Sequence, residues 1–87
     1  MKTHGDYKYR EIAGEYYLIP VGAKAEKESG AIQLSETAAW IWRQIEKDLS
    51  AKEMAEKMTQ EYDVDPVQAQ AAVERFLASL RDNGFLI

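Results

Sequence analysis

The first third of the chain alternates in polarity as a β-sheet does, and the rest follows a helical period. Residues 7–12 and 15–21 are short, aromatic-rich runs typical of strands with one buried face. Ala13 and Gly14 between them provide the backbone freedom of a tight reversal. Residues 31–34 predict a short third strand, and the small and charged residues 22–30 before it predict a solvated loop or hairpin tip.

Three helices are predicted from Ser35 onward, where apolar residues recur at spacings of three and four. Ser35 or Thr37 can cap the first helix, and Ser50 with Glu53 has the spacing of a capping box at the second. Asp65 precedes a proline at the start of the third helix, and Gly84 marks its end. The three apolar stripes are Leu34, Ala38, Ile41, Trp42, Ile45 and Leu49; Met54, Ala55, Met58 and Tyr62; and Ala69, Ala72, Val73, Phe76, Leu77 and Leu80.

The element order is therefore βββααα. It is typical of an α+β, winged-helix-like domain, in which a three-stranded antiparallel sheet is followed by three helices. A chain of 87 residues suffices for one core of this kind and not for two. We assign residues 7–87 to this single domain and residues 1–6 to a flexible N-terminal tail.

The two tryptophans of the first helix are expected in different environments. Trp42 lies on the apolar stripe, which predicts a place in the core. Trp40 falls off the stripe, which predicts partial exposure and makes it a candidate for contact with a partner.

Composition and charge exclude several classes of function. Eleven Lys and Arg oppose 15 Asp and Glu, for a net charge of −4 and a pI near 4.9, which disfavours binding to nucleic acid or to anionic membranes. Cysteine is absent, which removes disulfides and thiolate metal centres and fits a reducing cytoplasm. No apolar run reaches the ~18–20 residues of a membrane span, and the N-terminus does not resemble a secretion signal.

The sequence offers no catalytic constellation, so we expect a protein that is not an enzyme and uses neither a cofactor nor a metal. His4 is the sole histidine and lies in the predicted tail, without neighbours that could orient it as a base or ligand. The acidic residues of the first two helices are interleaved with lysines, which is typical of a solvated surface. Residues 63–65 fit a helix cap better than the opening of a calcium loop.

The winged-helix order raises one alternative, a DNA-binding transcriptional regulator whose third helix enters the major groove. That helix carries Arg75 and Arg81 against the acids Asp65, Glu74 and Asp82. Phosphate contacts dominate DNA affinity and need a net cationic face, which this helix lacks.

An exposed strand edge favours a different function. Residues 31–34 contain no proline and directly precede the helices, so a sheet edge here would present unpaired N–H and C=O groups. An extended peptide can pair with such an edge by β-augmentation, which needs neither a basic surface nor a deep pocket. The competing hypothesis is a homodimer in which a second copy closes the same edge.

Residues 34–42, Leu-Ser-Glu-Thr-Ala-Ala-Trp-Ile-Trp, resemble the LNxTAxxIW signature of PqqD-like proteins, the RiPP recognition elements. Serine stands where asparagine is common, and both can cap a helix. Residues 17–22, 61–65 and 76–86 resemble further segments of that family. The resemblance covers roughly residues 9–87, and it rests on the order and spacing of these segments more than on any one of them.

The resemblance implies that the chain binds the leader segment of a ribosomally synthesised precursor peptide and presents it to a modifying enzyme, often a radical SAM enzyme. In the family the leader adds a strand beside the third strand and lies against the third helix. The peptide-binding residues thus implied are Gly30, Ala31, Ile32, Gln33, Leu34, Glu74, Arg75, Ala78 and Arg81. The two arginines would suit acidic leader residues, or they would merely pair with Glu74 and Asp82.

Overall fold

A three-stranded antiparallel sheet and three long helices form the computed structural model, which describes Thr3 and residues 5–27 and 30–86. The elements are β1 (Tyr7–Ile12), β2 (Glu15–Pro20), α1 (Ala23–Lys27), β3 (Ile32–Leu34), α2 (Glu36–Glu46), α3 (Ala51–Glu61) and α4 (Pro66–Asp82). The sheet has the order β1-β2-β3, and both neighbouring pairs are antiparallel. The predicted α+β class, with the sheet preceding the three helices, is confirmed.

The segment between β2 and β3 differs from the expectation. We predicted a solvated loop or hairpin tip over residues 22–30, and the structure has the short helix α1 within it. The reason lies in its residues, since alanine, lysine and glutamate all favour the helix. Residues 28–29 of this segment lie outside the described part of the chain. The observed order is therefore ββαβααα.

A two-residue turn joins β1 to β2. Ala13 and Gly14 have φ angles of 52° and 80°, the left-handed conformation that both central residues of a type I′ turn require. The turn closes on the pair Ile12 and Glu15 and fixes the register of the hairpin.

Side chains cap the three long helices as the sequence predicts. Ser35 Oγ accepts a hydrogen bond from the N–H three residues along at 3.1 Å, and an Asp65 oxygen does the same at 2.8 Å. Ser50 Oγ accepts from Glu53 N–H at 3.1 Å, while Glu53 Oε1 accepts from Ser50 N–H at 2.9 Å. Hydrogen bonding of the Glu53 carboxylate to the backbone N–H of Ser50, and secondarily to its side chain, lowers the pKa of Glu53. The predicted capping box is confirmed.

The first and last described residues meet. Thr3 forms a β-bridge with Leu86, and the rings of Tyr7 and Phe85 lie 4.7 Å apart. His4, for which we predicted no chemical role, lies outside the described residues. The flexibility of residues 1–6 stays a prediction. Within them, Thr3 is paired with Leu86 by this bridge.

The core lies between the inner face of the sheet and the long helices. Its largest fully buried side chains are Trp42, Leu18, Ile41, Met54, Leu77 and Val73. Trp42 is in the core as predicted, but the predicted partial exposure of Trp40 is wrong, because only 5% of it is exposed. The end of α3 covers its ring: Trp40 Nε1 donates to Glu61 at 2.7 Å, and Tyr62 packs edge-on at 5.9 Å.

The two tryptophans differ in the environment of the indole N–H, which gives a test of the core. Trp40 Nε1 has Glu61 as acceptor, whereas the buried Trp42 Nε1 has no hydrogen-bond partner within the described part of the chain. Trp40→Phe loses a hydrogen bond, and Trp42→Phe removes an unsatisfied donor. We expect Trp40→Phe to lower the free energy of unfolding by about 1–2 kcal/mol more than Trp42→Phe does. Urea unfolding followed by circular dichroism measures both, and an equal or larger loss for Trp42→Phe would contradict this account.

Candidate functional site

The alternation of hydrogen bonds in the sheet determines which backbone groups face the free edge of β3. Val21 N–H donates to the Asp6 carbonyl at 2.9 Å, so these two residues form a bonded pair that continues the β1–β2 register. Bonded and non-bonded pairs alternate along antiparallel strands. The odd-numbered residues of β2 therefore direct their N–H and C=O groups toward β1, and Tyr16 and Leu18 direct theirs toward β3.

The register carries this alternation onto β3. Ile32 and Leu34 lie opposite Leu18 and Tyr16, so their N–H and C=O groups point into the sheet. Gln33 lies between them, and its N–H and C=O groups point to the open side. Ala31, two residues earlier, has the same parity. Of the five residues that the sequence implied, Gln33 is thus the one within β3 that carries outward backbone groups, and Ala31 precedes the strand.

A groove of about 370 Å³ opens beyond the end of β3, between the start of α2 and one flank of α4. Its lining residues are Ser35, Thr37, Ala38, Ile41, Ala72, Arg75, Phe76 and Ser79. Ser35 directly follows β3, so the groove begins where the strand ends. Ile32 pairs with the buried Leu18 on the helix-facing side of the sheet and is still 37% exposed, which leaves an apolar side chain at the open edge.

The predicted residues of α4 lie on different sides of the helix. Arg75 lines the groove. Glu74 lines a shallow depression with Val67 on the other flank, where its Oε1 accepts from Gln70 Nε2 at 2.9 Å. Ala78 and Arg81 are exposed, and 3.6 residues per turn place Arg81 nearly opposite the groove.

Several groove residues were missed in the sequence because they lie on the apolar stripes. Ala38 and Ile41 of α2 and Ala72 and Phe76 of α4 were assigned to the core, and the structure places them on the groove walls as well. Ala38, Ala72 and Phe76 are only half-buried. The sequence signal that could have identified them is the width of the apolar stripe on α4, which is broader than packing against one neighbouring element requires.

A cation–aromatic cluster holds α2 against the sheet. Arg43 Nη1 donates to Tyr9 Oη at 2.6 Å, and its guanidinium carbon lies 5.6 Å and 5.9 Å from the ring centres of Tyr9 and Tyr16. The two tyrosine rings stack at 6.4 Å. The cluster joins β1, β2 and the last turn of α2, and so it holds that end of the helix against the strand beside β3.

The opposite edge of the sheet, along β1, is partly closed. The same alternation gives Tyr7, Tyr9 and Glu11 the outward backbone groups there. Arg10 Nη1 donates to the Tyr9 carbonyl at 2.9 Å, and Phe85 packs on the ring of Tyr7. Charged side chains along an edge are a common protection against further pairing. The β3 edge is thus the more accessible of the two.

Comparison with known families decides the assignment of the fold. The model of the family described as coenzyme PQQ synthesis protein D (PqqD) matches residues 22–86. The chain belongs to the PqqD family. The resemblance found in residues 34–42 and in the later segments is thereby confirmed.

A solved structure shares the fold of this PqqD-family chain. TbiB1 in complex with the TbiA(beta) leader peptide superposes with a TM-score of 0.79 at 21% sequence identity, over 99% of this chain and 94% of that one. A comparison with curated proteins finds no match.

The described part of this PqqD-family chain contains no cluster of three or more His, Cys, Asp or Glu arranged for a metal ion. Nor does it contain a helix long and apolar enough to cross a membrane. Burial raises the pKa of Tyr62, which packs against Trp40. The groove presents apolar walls and one guanidinium, and the edge of β3 presents backbone polar groups.

Amide exchange in the free PqqD-family chain tests the assignment of the edge. Ile32 and Leu34 N–H groups are bonded to β2, so we expect their exchange with solvent to be slower than that of Ala31 and Gln33. Hydrogen–deuterium exchange followed by NMR resolves the four amides. Slower exchange at Gln33 than at Ile32 would show that the alternation derived from the hydrogen bond between Val21 and Asp6 is wrong.

Proposed function

We propose that this PqqD-family domain binds the leader segment of a ribosomally synthesised precursor peptide as a strand added to β3, and presents the peptide to a modifying enzyme. The observation that carries the proposal is the outward-facing backbone of Gln33 and Ala31, on the strand that Ser35 connects to an apolar groove. The complex of TbiB1 with the TbiA(beta) leader peptide, which has the same fold, supports it.

The geometry favours an extended guest over a compact ligand. The two outward residues together offer two N–H and two C=O groups, and an antiparallel neighbour satisfies all of them at once. Each such bond contributes about 0.5–1.5 kcal/mol net. An apolar side chain that leaves water for the groove contributes about 1.5–3 kcal/mol more. Because association itself has a large entropic cost, backbone pairing and the groove are both needed for useful affinity.

Presentation follows from tethering. A leader held on β3 keeps the attached core segment close to any enzyme that contacts the domain, at an effective concentration in the millimolar range for a short flexible link. The domain then contributes recognition, and the partner contributes catalysis and any cofactor. The family resemblance favours a radical SAM enzyme as that partner. The absence of cysteine is compatible with the cytoplasm, where the precursor is translated.

The DNA-binding alternative gains no support from the surface of α4. Glu74, Arg75, Arg81 and Asp82 are all exposed on it, and their charges cancel. Counterion release from DNA needs a net cationic face. A homodimer closed through β3 is the stronger competitor, because it would use the same backbone groups.

Replacing Gln33 by proline tests strand addition. Proline removes the outward N–H and leaves the bonds of Ile32 and Leu34 to β2 in place. Gln33→Thr is the matched control, because it loses the same side-chain bond to Glu15 and keeps the N–H. The probe is a peptide enriched from a displayed library of random 12-residue sequences by selection on the full chain. We expect at least tenfold weaker binding for Gln33→Pro and less than threefold for Gln33→Thr, measured by calorimetry.

The other outcomes discriminate between the alternatives. Equal binding by a folded Gln33→Pro variant would contradict strand addition. Self-association that rises with concentration in sedimentation, and that Gln33→Pro abolishes, would favour the homodimer. Duplex DNA binding that falls steeply with salt would favour the regulator.

A further inference from the structure

We propose that Arg75 makes the site selective for guest peptides with an acidic side chain two residues away from an apolar one. The inference rests on the proposed function, because it assumes a strand paired with β3. It adds the chemistry by which one peptide is chosen over another.

The walls of the groove supply the apolar half of this signature. Ala38 and Ile41 form the α2 side, and Ala72 and Phe76 form the α4 side. Phe76 is half-buried against the core and keeps part of its surface in the groove. An apolar side chain from the added strand removes this surface from water as well as its own.

Arg75 supplies the charged half. The positions three and four residues away on its own helix are Ala71, Ala72, Ala78 and Ser79, none of which is charged. Within the part of the chain that the structure describes, no hydrogen bond or ion pair to Arg75 is found. Glu74, its neighbour in sequence, is engaged with Gln70 on the other flank.

A carboxylate is the ligand that such a guanidinium binds best. Arginine presents parallel N–H donors that match the two carboxylate oxygens. Next to apolar walls and an occupying strand the pair is screened less than it would be on an open surface. A basic side chain in the same place would be repelled and desolvated, so Arg75 discriminates by charge.

The spacing follows from the lengths of the two elements. The α4 residues of the groove run from Ala72 to Ser79, which spans about 10 Å at 1.5 Å per residue. Side chains on one face of a strand recur about every 6.6–6.8 Å. The groove therefore receives two successive side chains from the face of the guest that looks toward the helices. These are residues i and i+2, one apolar and one near Arg75.

Selection from the random 12-residue library tests this inference with Arg75→Glu and Arg81→Glu. Both variants change the charge of α4 by the same amount, but Arg81 lies away from the groove. We expect the unaltered chain and Arg81→Glu to enrich peptides with an acidic residue two positions from an apolar one. Arg75→Glu should lose this acid and favour lysine or arginine in its place.

A single enriched peptide makes the comparison quantitative. Arg75→Glu should weaken its binding at least tenfold and Arg81→Glu less than threefold, in low salt. Replacing the peptide's acidic residue by lysine should restore binding to Arg75→Glu and reduce binding to the unaltered chain.

The failures of the two proposals are distinguishable. Equal effects of Arg75→Glu and Arg81→Glu, or enrichment without an acidic residue, would overturn the role of Arg75, while a loss on Gln33→Pro would still support strand addition. Binding that depends on Arg75 and is unaffected by Gln33→Pro would overturn both the strand and the two-residue spacing. Circular dichroism of each variant confirms that it is folded.

Discussion

A strand at the edge of a sheet can satisfy its backbone on one side only, and the site in this domain depends on that constraint. β3 is bonded to β2 through Ile32 and Leu34, and among the described residues no strand pairs with Gln33 on the outer side. A fourth strand paired with β3 would use these groups and leave none for a peptide. The remaining elements supply its surroundings: α2 begins immediately after β3, and α4 forms the facing wall of the groove.

The two edges of the sheet differ in length and in the side chains that surround them. β1 is twice as long as β3, with six residues against three, and would be the better template by length alone. Yet Arg10 binds the outward carbonyl of Tyr9, and Phe85 covers Tyr7. The shorter edge is the one that lies beside an apolar groove. By its surroundings, rather than by its length, β3 is the candidate edge for pairing with a peptide.

The features that the sequence predicted correctly are those decided by neighbouring residues. The caps at Ser50 and Asp65 act over three positions, and the turn at Ala13 and Gly14 acts over two, so each can be recognised locally. α1 was missed because its charged residues suggested solvent exposure, although they also favour the helix.

What the sequence did not predict depends on contacts between distant segments. Trp40 is buried by Glu61, 21 residues later, and no helical stripe contains that information. The flank of α4 that faces the groove depends on how α2 packs against it. Arg75 and Arg81 are the same residue type on the same helix, and the packing of the helices is what places Arg75, and not Arg81, in the groove.

Pro20 has a consequence for the size of the site. By the alternation of the sheet its nitrogen would face Gly30, two residues before β3, and a proline has no hydrogen to give there. The β2–β3 ladder therefore ends one step earlier, at Leu18 and Ile32, while Ser35 ends the strand from the other direction by turning the chain into α2. The missing N–H of Pro20 and the helix cap at Ser35 thus limit β3 to three residues, which bounds the length of any strand that could pair with it.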